Sequence, residues 1–120
     1  MSRKLTGINF SLLGFGAGWN WENINEEKGE IEFSEIEAEI MTSLLNPRAT
    51  LRLTPSTMNS YEKIHIVWEE GGEERREDEG SYLAFKKLEY NYLVENKAGI
   101  VYELTVPGKS LAEGLKALNE

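Results

Sequence analysis

Apolar side chains in this 120-residue chain change their spacing in a definite order: from two to between three and four, back to two, and once more to between three and four. A strand repeats its face every two residues and a helix every 3.6, so the order predicts strands, helix, strands, helix. That succession predicts an α+β fold: an antiparallel sheet of about five strands, with two helices, at about 34–46 and 110–119, packed on one face. The chain contains no cysteine, so it must be held together by its core rather than by disulfides. Its length suits one domain spanning residues 1–120.

Residues Leu5 to Trp21 read as extended, with Ile8, Phe10 and Leu12 on one face, and Leu13, Phe15, Ala17, Trp19 and Trp21 on a face shifted by one residue. Gly14, Gly16 and Gly18 then fall together on the bare side, where a backbone, a helix or a small ligand can approach closely. Glu22 to Glu32 is polar and reads as a loop. Ser34 and Glu37 form a capping box ahead of Ile36, Ile40, Met41, Leu44 and Leu45, and Asn46-Pro47 ends that helix.

Ala49 to Thr54 alternates as a strand, and Lys63 to Glu70 sets Ile64, Ile66 and Trp68 against His65 and Val67. The following "EEGGEERREDEG" is too polar to pack, which predicts a long hairpin with a mobile tip. Tyr82 to Val94 is ambiguous. Leu88, Tyr90, Tyr92 and Val94 suit a strand, whereas "YLAFKKLEY" also suits the opening of a helix. Across the "ENKAG" turn, Ile100, Tyr102, Leu104 and Val106 return as a strand broken by Pro107-Gly108, and Ser110 with Glu113 caps a final helix carrying Leu111, Leu115 and Leu118.

Several chemistries are excluded by spacing. A dinucleotide fingerprint counted from Gly14 puts Trp19 where its last glycine belongs. "VPGKS" ends like a phosphate-binding loop, but Glu103 stands where the first glycine is required. His65 is the sole histidine, so zinc sites and triads built on paired histidines are not available, and a half-exposed strand position is expected for it. "NINEEKGEIEFSE" has the composition of a calcium loop without its glycine offset or its aspartates, Asp78 being the only aspartate in the chain. No metal, no cofactor and no catalytic residue is expected.

The net charge of −8 opposes binding to nucleic acid or to anionic membrane surfaces and favours a partner with a basic surface. Two acidic blocks are the expected partner-binding surface: Glu35 and Glu39 on the first helix, and Glu69, Glu70, Glu73, Glu74, Glu77, Asp78 and Glu79 in the polar loop. Among the aromatic residues Trp19, Trp21, Trp68, Tyr82, Tyr90, Tyr92 and Tyr102, most are expected in the core, with one tryptophan of the 19/21 pair exposed as an anchor. The alternative site is a small-ligand pocket built from Gly14, Gly16, Gly18, Trp19 and Trp21. An exposed strand edge would equally serve to pair two copies of the chain.

The opening "KLTGINFSLLGFGAGWNWE" resembles the start of short bacterial proteins of unknown function that begin with a Thr-Gly-Ile stretch, a glycine-rich turn and a tryptophan; Thr6, Gly7, Ile8, Gly16, Gly18 and Trp19 are the matching positions. The resemblance implies a bacterial or phage origin and assigns no activity. By analogy with small, acidic, cysteine-poor immunity proteins and phage-borne inhibitors of host defence, the expected function is non-enzymatic binding of a protein partner that is neutralised or regulated, in the cytoplasm.

Overall fold

The computed structural model describes residues 2–9, 24–25 and 27–118. The chain runs β1 (Ser2–Leu5), β2 (Ile24–Asn25), β3 (Glu30–Ser34), α1 (Glu35–Ser43), β4 (Ala49–Thr54), β5 (Lys63–Trp68), β6 (Glu73–Arg76), α2 (Glu79–Tyr90), β7 (Val94–Ala98), β8 (Val101–Leu104) and α3 (Val106–Leu118). The fold is α+β. A five-stranded antiparallel sheet is ordered β6-β5-β4-β8-β7, and a smaller sheet is ordered β1-β3-β2.

Cross-strand register explains the layers. Leu51 lies opposite both Ile66 and Tyr102, and Leu53 lies opposite Ile64, so these side chains share one face of the large sheet. Together with Phe85 and Leu88 of α2, Ile40 and Met41 of α1, and Leu111 and Leu115 of α3, that face encloses the core. The helices therefore cover the inner face, and Thr50, Arg52, His65 and Val67 point outward. Ile31 and Phe33 of β3 are fully buried and tie the small sheet to the same core.

The first helix begins where its capping box places it. Glu37 N donates to Ser34 Oγ at 3.2 Å and Ser34 N donates to Glu37 Oε1 at 2.9 Å, which satisfies two amides that the helix itself leaves open. Three expectations need correction. The segment Glu22 to Glu32 is not all loop: β2 and the start of β3 lie within it, because the glutamates of "EIEFS" alternate with the buried Ile31 and Phe33.

The polar stretch 69–80 is likewise shorter as a loop than its composition suggests. Gly71 and Gly72, at φ 102° and 115°, close a tight turn that side chains would strain, and "EERR" continues as β6. Glu74 and Arg76 occupy the core side of this edge strand, opposite Ile66 and Ile64, where Arg76 pairs with Glu39 at 2.8 Å and with Glu74 at 2.7 Å. Its charged side chains also guard an edge that would otherwise invite strand addition.

The third correction concerns both later helices. "EGSYLAFKKLEY" is α2, so Leu88 and Tyr90 are helical rather than strand residues, and only β7 from Val94 pairs with β8. The last helix starts at Val106 rather than near Ser110. Gly108 N donates to Thr105 Oγ1 at 3.0 Å, so Thr105 acts as the cap, and Pro107 sits in the first turn, where its missing amide costs nothing.

Candidate functional site

Exposed apolar side chains stand on α2 and at its junction with β7 and α3. Asp78 starts α2: Ser81 N donates to its Oδ2 at 2.8 Å and Ser81 Oγ donates to its Oδ1 at 2.8 Å. The Ser81 hydroxyl holds the Asp78 carboxyl below the ordinary aspartate range, against the opposing effect of partial burial. Ser81, Ala84, Phe85 and Leu88 then face the core. Leu83 and Tyr90, two helical turns apart, share the outward ridge with 56% and 74% of their surface exposed.

The helix ends in a Schellman motif. Tyr92 N donates to Glu89 O at 3.0 Å and Leu93 N donates to Leu88 O at 2.9 Å, with the fully buried Leu88 and Leu93 in the hydrophobic positions that accompany the motif. The residue at its turning point must adopt left-handed backbone, normally the place for glycine. Here it is Tyr92, at φ 58°. For a side chain bearing Cβ this conformation costs about 1–2 kcal/mol.

Thr105 and Gly108 hold Tyr92 there. Thr105 Oγ1 donates to Tyr92 O at 2.7 Å and Thr105 N donates to Leu93 O at 3.0 Å. Gly108 packs so closely that a Cβ added to it would lie 2.0 Å from Leu93 O. The frame is buried, Leu93 being inaccessible and Thr105 2% exposed, whereas Tyr92 is 57% exposed and Val106, next to Thr105, 77%. "VPGKS" is thus a close-packing junction whose glycine meets a carbonyl rather than a phosphate.

The nine carboxylates expected to form an acidic docking surface are divided by the structure. Glu35 pairs with Arg3, whose guanidinium holds that carboxyl below its usual range. Glu39 and Glu74 pair with Arg76, Glu77 pairs with Lys63 at 3.2 Å, and Asp78 caps α2. Glu73 Oε1 lies 2.5 Å from His65 Nδ1 and 3.4 Å from Arg75 Nε; the His65 contact, aided by Arg75, lowers its pKa. Glu69, Glu70 and Glu79 are exposed and have no ion-pair partner among the described residues. These three remain available to an external cation.

His65 lies on the outer face of the large sheet, with Nε2 2.7 Å from Thr54 Oγ1. The hydroxyl, imidazole and carboxylate of Thr54, His65 and Glu73 form a line across three strands. In the neutral ring, Nδ1–H donating to Glu73 leaves Nε2 to accept from the Thr54 hydroxyl, and the two contacts hold the imidazole across this face. The order of groups matches that of a hydrolase triad, but each member here is anchored on the face of a regular ladder.

Gly14, Gly16, Gly18, Trp19 and Trp21 lie outside the described residues. Of the other aromatic residues, Tyr82 rests against Tyr61 with ring centroids 6.3 Å apart, and Tyr102 meets Phe85 edge to face at 5.0 Å. Tyr90 and Tyr92 depart from the expected core position because the first lies on the solvent ridge of a helix and the second at its left-handed exit. No helix among the described residues is long and apolar enough to cross a membrane. Comparison with family models, with curated proteins and with solved structures yields no match.

Proposed function

We propose that this chain is a non-enzymatic, cytoplasmic interaction protein that binds and regulates or neutralises one protein partner, and that Leu83, Tyr90 and Tyr92 supply the anchoring contacts. The observation that carries the reading is Tyr92. An exposed aromatic side chain stands in left-handed backbone that glycine would adopt with less strain, and a buried network keeps it there. Strain retained at an exposed aromatic residue is characteristic of a contact site, and tyrosine supplies much interface area for few rotatable bonds.

The net charge of −8 favours a partner with a basic surface, and Glu70 and Glu79 are free to steer its approach. Bacterial or phage origin, and a role of the immunity or defence kind, rest on the analogy of size, acidity and the lack of cysteine. The test is affinity capture from the native cells with the wild-type chain and with a Tyr90→Ala/Tyr92→Gly variant. The wild type should retain one protein in stoichiometric amount, and the variant should lose it while melting within a few degrees of wild type. Equal retention by both chains, or capture of nothing by the wild type, would overturn the assignment.

A further inference from the structure

The chain has five arginines, and three of them, Arg3, Arg75 and Arg76, are ion-paired with glutamates. Arg48 and Arg52 have no such partner among the described residues. Scarcity of acid is not the reason, since 21 acidic residues face 13 basic ones. Both arginines lie on the outer side of the large sheet, remote from the helical ridge, and both line one open groove of about 220 Å³ with Pro47, Thr50, Val67 and Glu69.

Thr50 and Arg52, two residues apart, share the outward face of β4, and Arg48 lies in the turn just before that strand and lines the same groove, so the two arginines are no more than about 14 Å apart along the chain. Two arginine side chains can converge across that span on a group lying over Thr50. Val67, the partner of Thr50 across the β4–β5 ladder, contributes an apolar wall, and Glu69 closes the rim beside Arg48, to whose carbonyl its amide donates at 2.8 Å.

We infer that this groove binds a compact oxyanion, a carboxylate or a phosphate group, held by the guanidinium groups of Arg48 and Arg52 and by a hydrogen bond from the Thr50 hydroxyl. Guanidinium forks match the paired oxygens of either group, which a point charge does not. Glu69 opposes highly charged ligands and thereby limits affinity. The site is independent of the tyrosine ridge, so either can fail without the other.

The test is an amide NMR titration of the full chain with inorganic phosphate and, separately, with acetate. Millimolar binding should shift the amides of Arg48, Thr50, Arg52 and Val67. Arg48→Gln/Arg52→Gln should weaken it at least tenfold, and Glu69→Gln should tighten it about threefold. Lys109→Gln alters charge on α3 by the same sign and should leave binding unchanged. A response to phosphate alone identifies a phosphate site, a response to acetate alone a carboxylate site, and a response to both a general oxyanion site. No localised shift with either probe up to about 100 mM, or equal weakening by Lys109→Gln, would overturn the inference.

Discussion

Replacing Gly108 by alanine tests the junction that presents Tyr92. The added Cβ would stand 2.0 Å from the carbonyl oxygen of Leu93, when contacts under 3.0 Å are essentially never tolerated, so the start of α3 must retreat by about 1 Å. A retreat of that size lengthens the 3.0 Å bond from Thr105 N to Leu93 O and the 2.7 Å bond from Thr105 Oγ1 to Tyr92 O beyond useful range. Two lost hydrogen bonds at about 1 kcal/mol each, with about 1–2 kcal/mol of packing strain, outweigh the gain of up to about 1 kcal/mol from placing alanine in a helix. The net cost is about 2–3 kcal/mol, or about 10 °C in melting temperature for a chain of this length.

Gly114, on the same helix, is the internal control. Its added Cβ would meet only the flexible Leu5 side chain, at 3.2 Å, so the helix-propensity gain should survive and the variant should be neutral or slightly stabilised. Thermal and urea unfolding of the two variants, followed by circular dichroism, separates the close approach from helix propensity. Equal stability of Gly108→Ala and Gly114→Ala would refute the packing described at Leu93.

Three further outcomes are expected. Tyr92→Gly should be more stable than Tyr92→Ala by about 1 kcal/mol in urea unfolding, because both remove the ring and only glycine relieves the left-handed backbone; equal values would refute the strain. Asp78→Ala should cost about 1 kcal/mol near neutral pH. Because the folded-state pKa of Asp78 is depressed, its contribution is fully present above the ordinary value of 3.8 and disappears as pH falls through the lower folded value. The gap between wild type and Asp78→Ala should therefore close in acid, and a constant gap would deny the carboxylate its role. Finally, Glu70→Lys with Glu79→Lys should slow association with a basic partner and flatten its salt dependence while leaving dissociation nearly unchanged, as stopped-flow mixing would show.

Strands β4 and β5 and the first helix are legible in the sequence because their signals are local. The alternation of Lys63 to Trp68 and the pairing of Ser34 with Glu37 each fall within a few residues, and the structure places β5 and α1 accordingly. β6 is hidden because its core-side residues are charged: Arg76 is partly buried in company with its neighbour Glu74 and with Glu39, which lies 37 positions away. α2 was obscured because Leu88, Tyr90, Tyr92 and Val94 alternate by coincidence across a helix end, a left-handed turn and a strand start. The exposed positions of Tyr90 and Tyr92 are hidden for the same reason, since no local pattern marks a tyrosine at a position that ordinarily belongs to glycine. A hint did exist in Pro107-Gly108. A glycine in the first turn of a helix invites the question of what approaches it, and the answer is the carbonyl next to Tyr92.

Site-specific photo-crosslinking tests the central claim most directly. A benzophenone amino acid would be installed in place of Tyr92 and, in a separate chain, in place of Met58, which is 90% exposed and lies on the connection between β4 and β5. After irradiation in the native cells, the probe at 92 should yield one discrete adduct of protein size, and the probe at 58 should yield none or a weak, heterogeneous set. The same products from both positions, or no discrete adduct from position 92, would contradict the assignment of the tyrosine ridge as the partner-binding site.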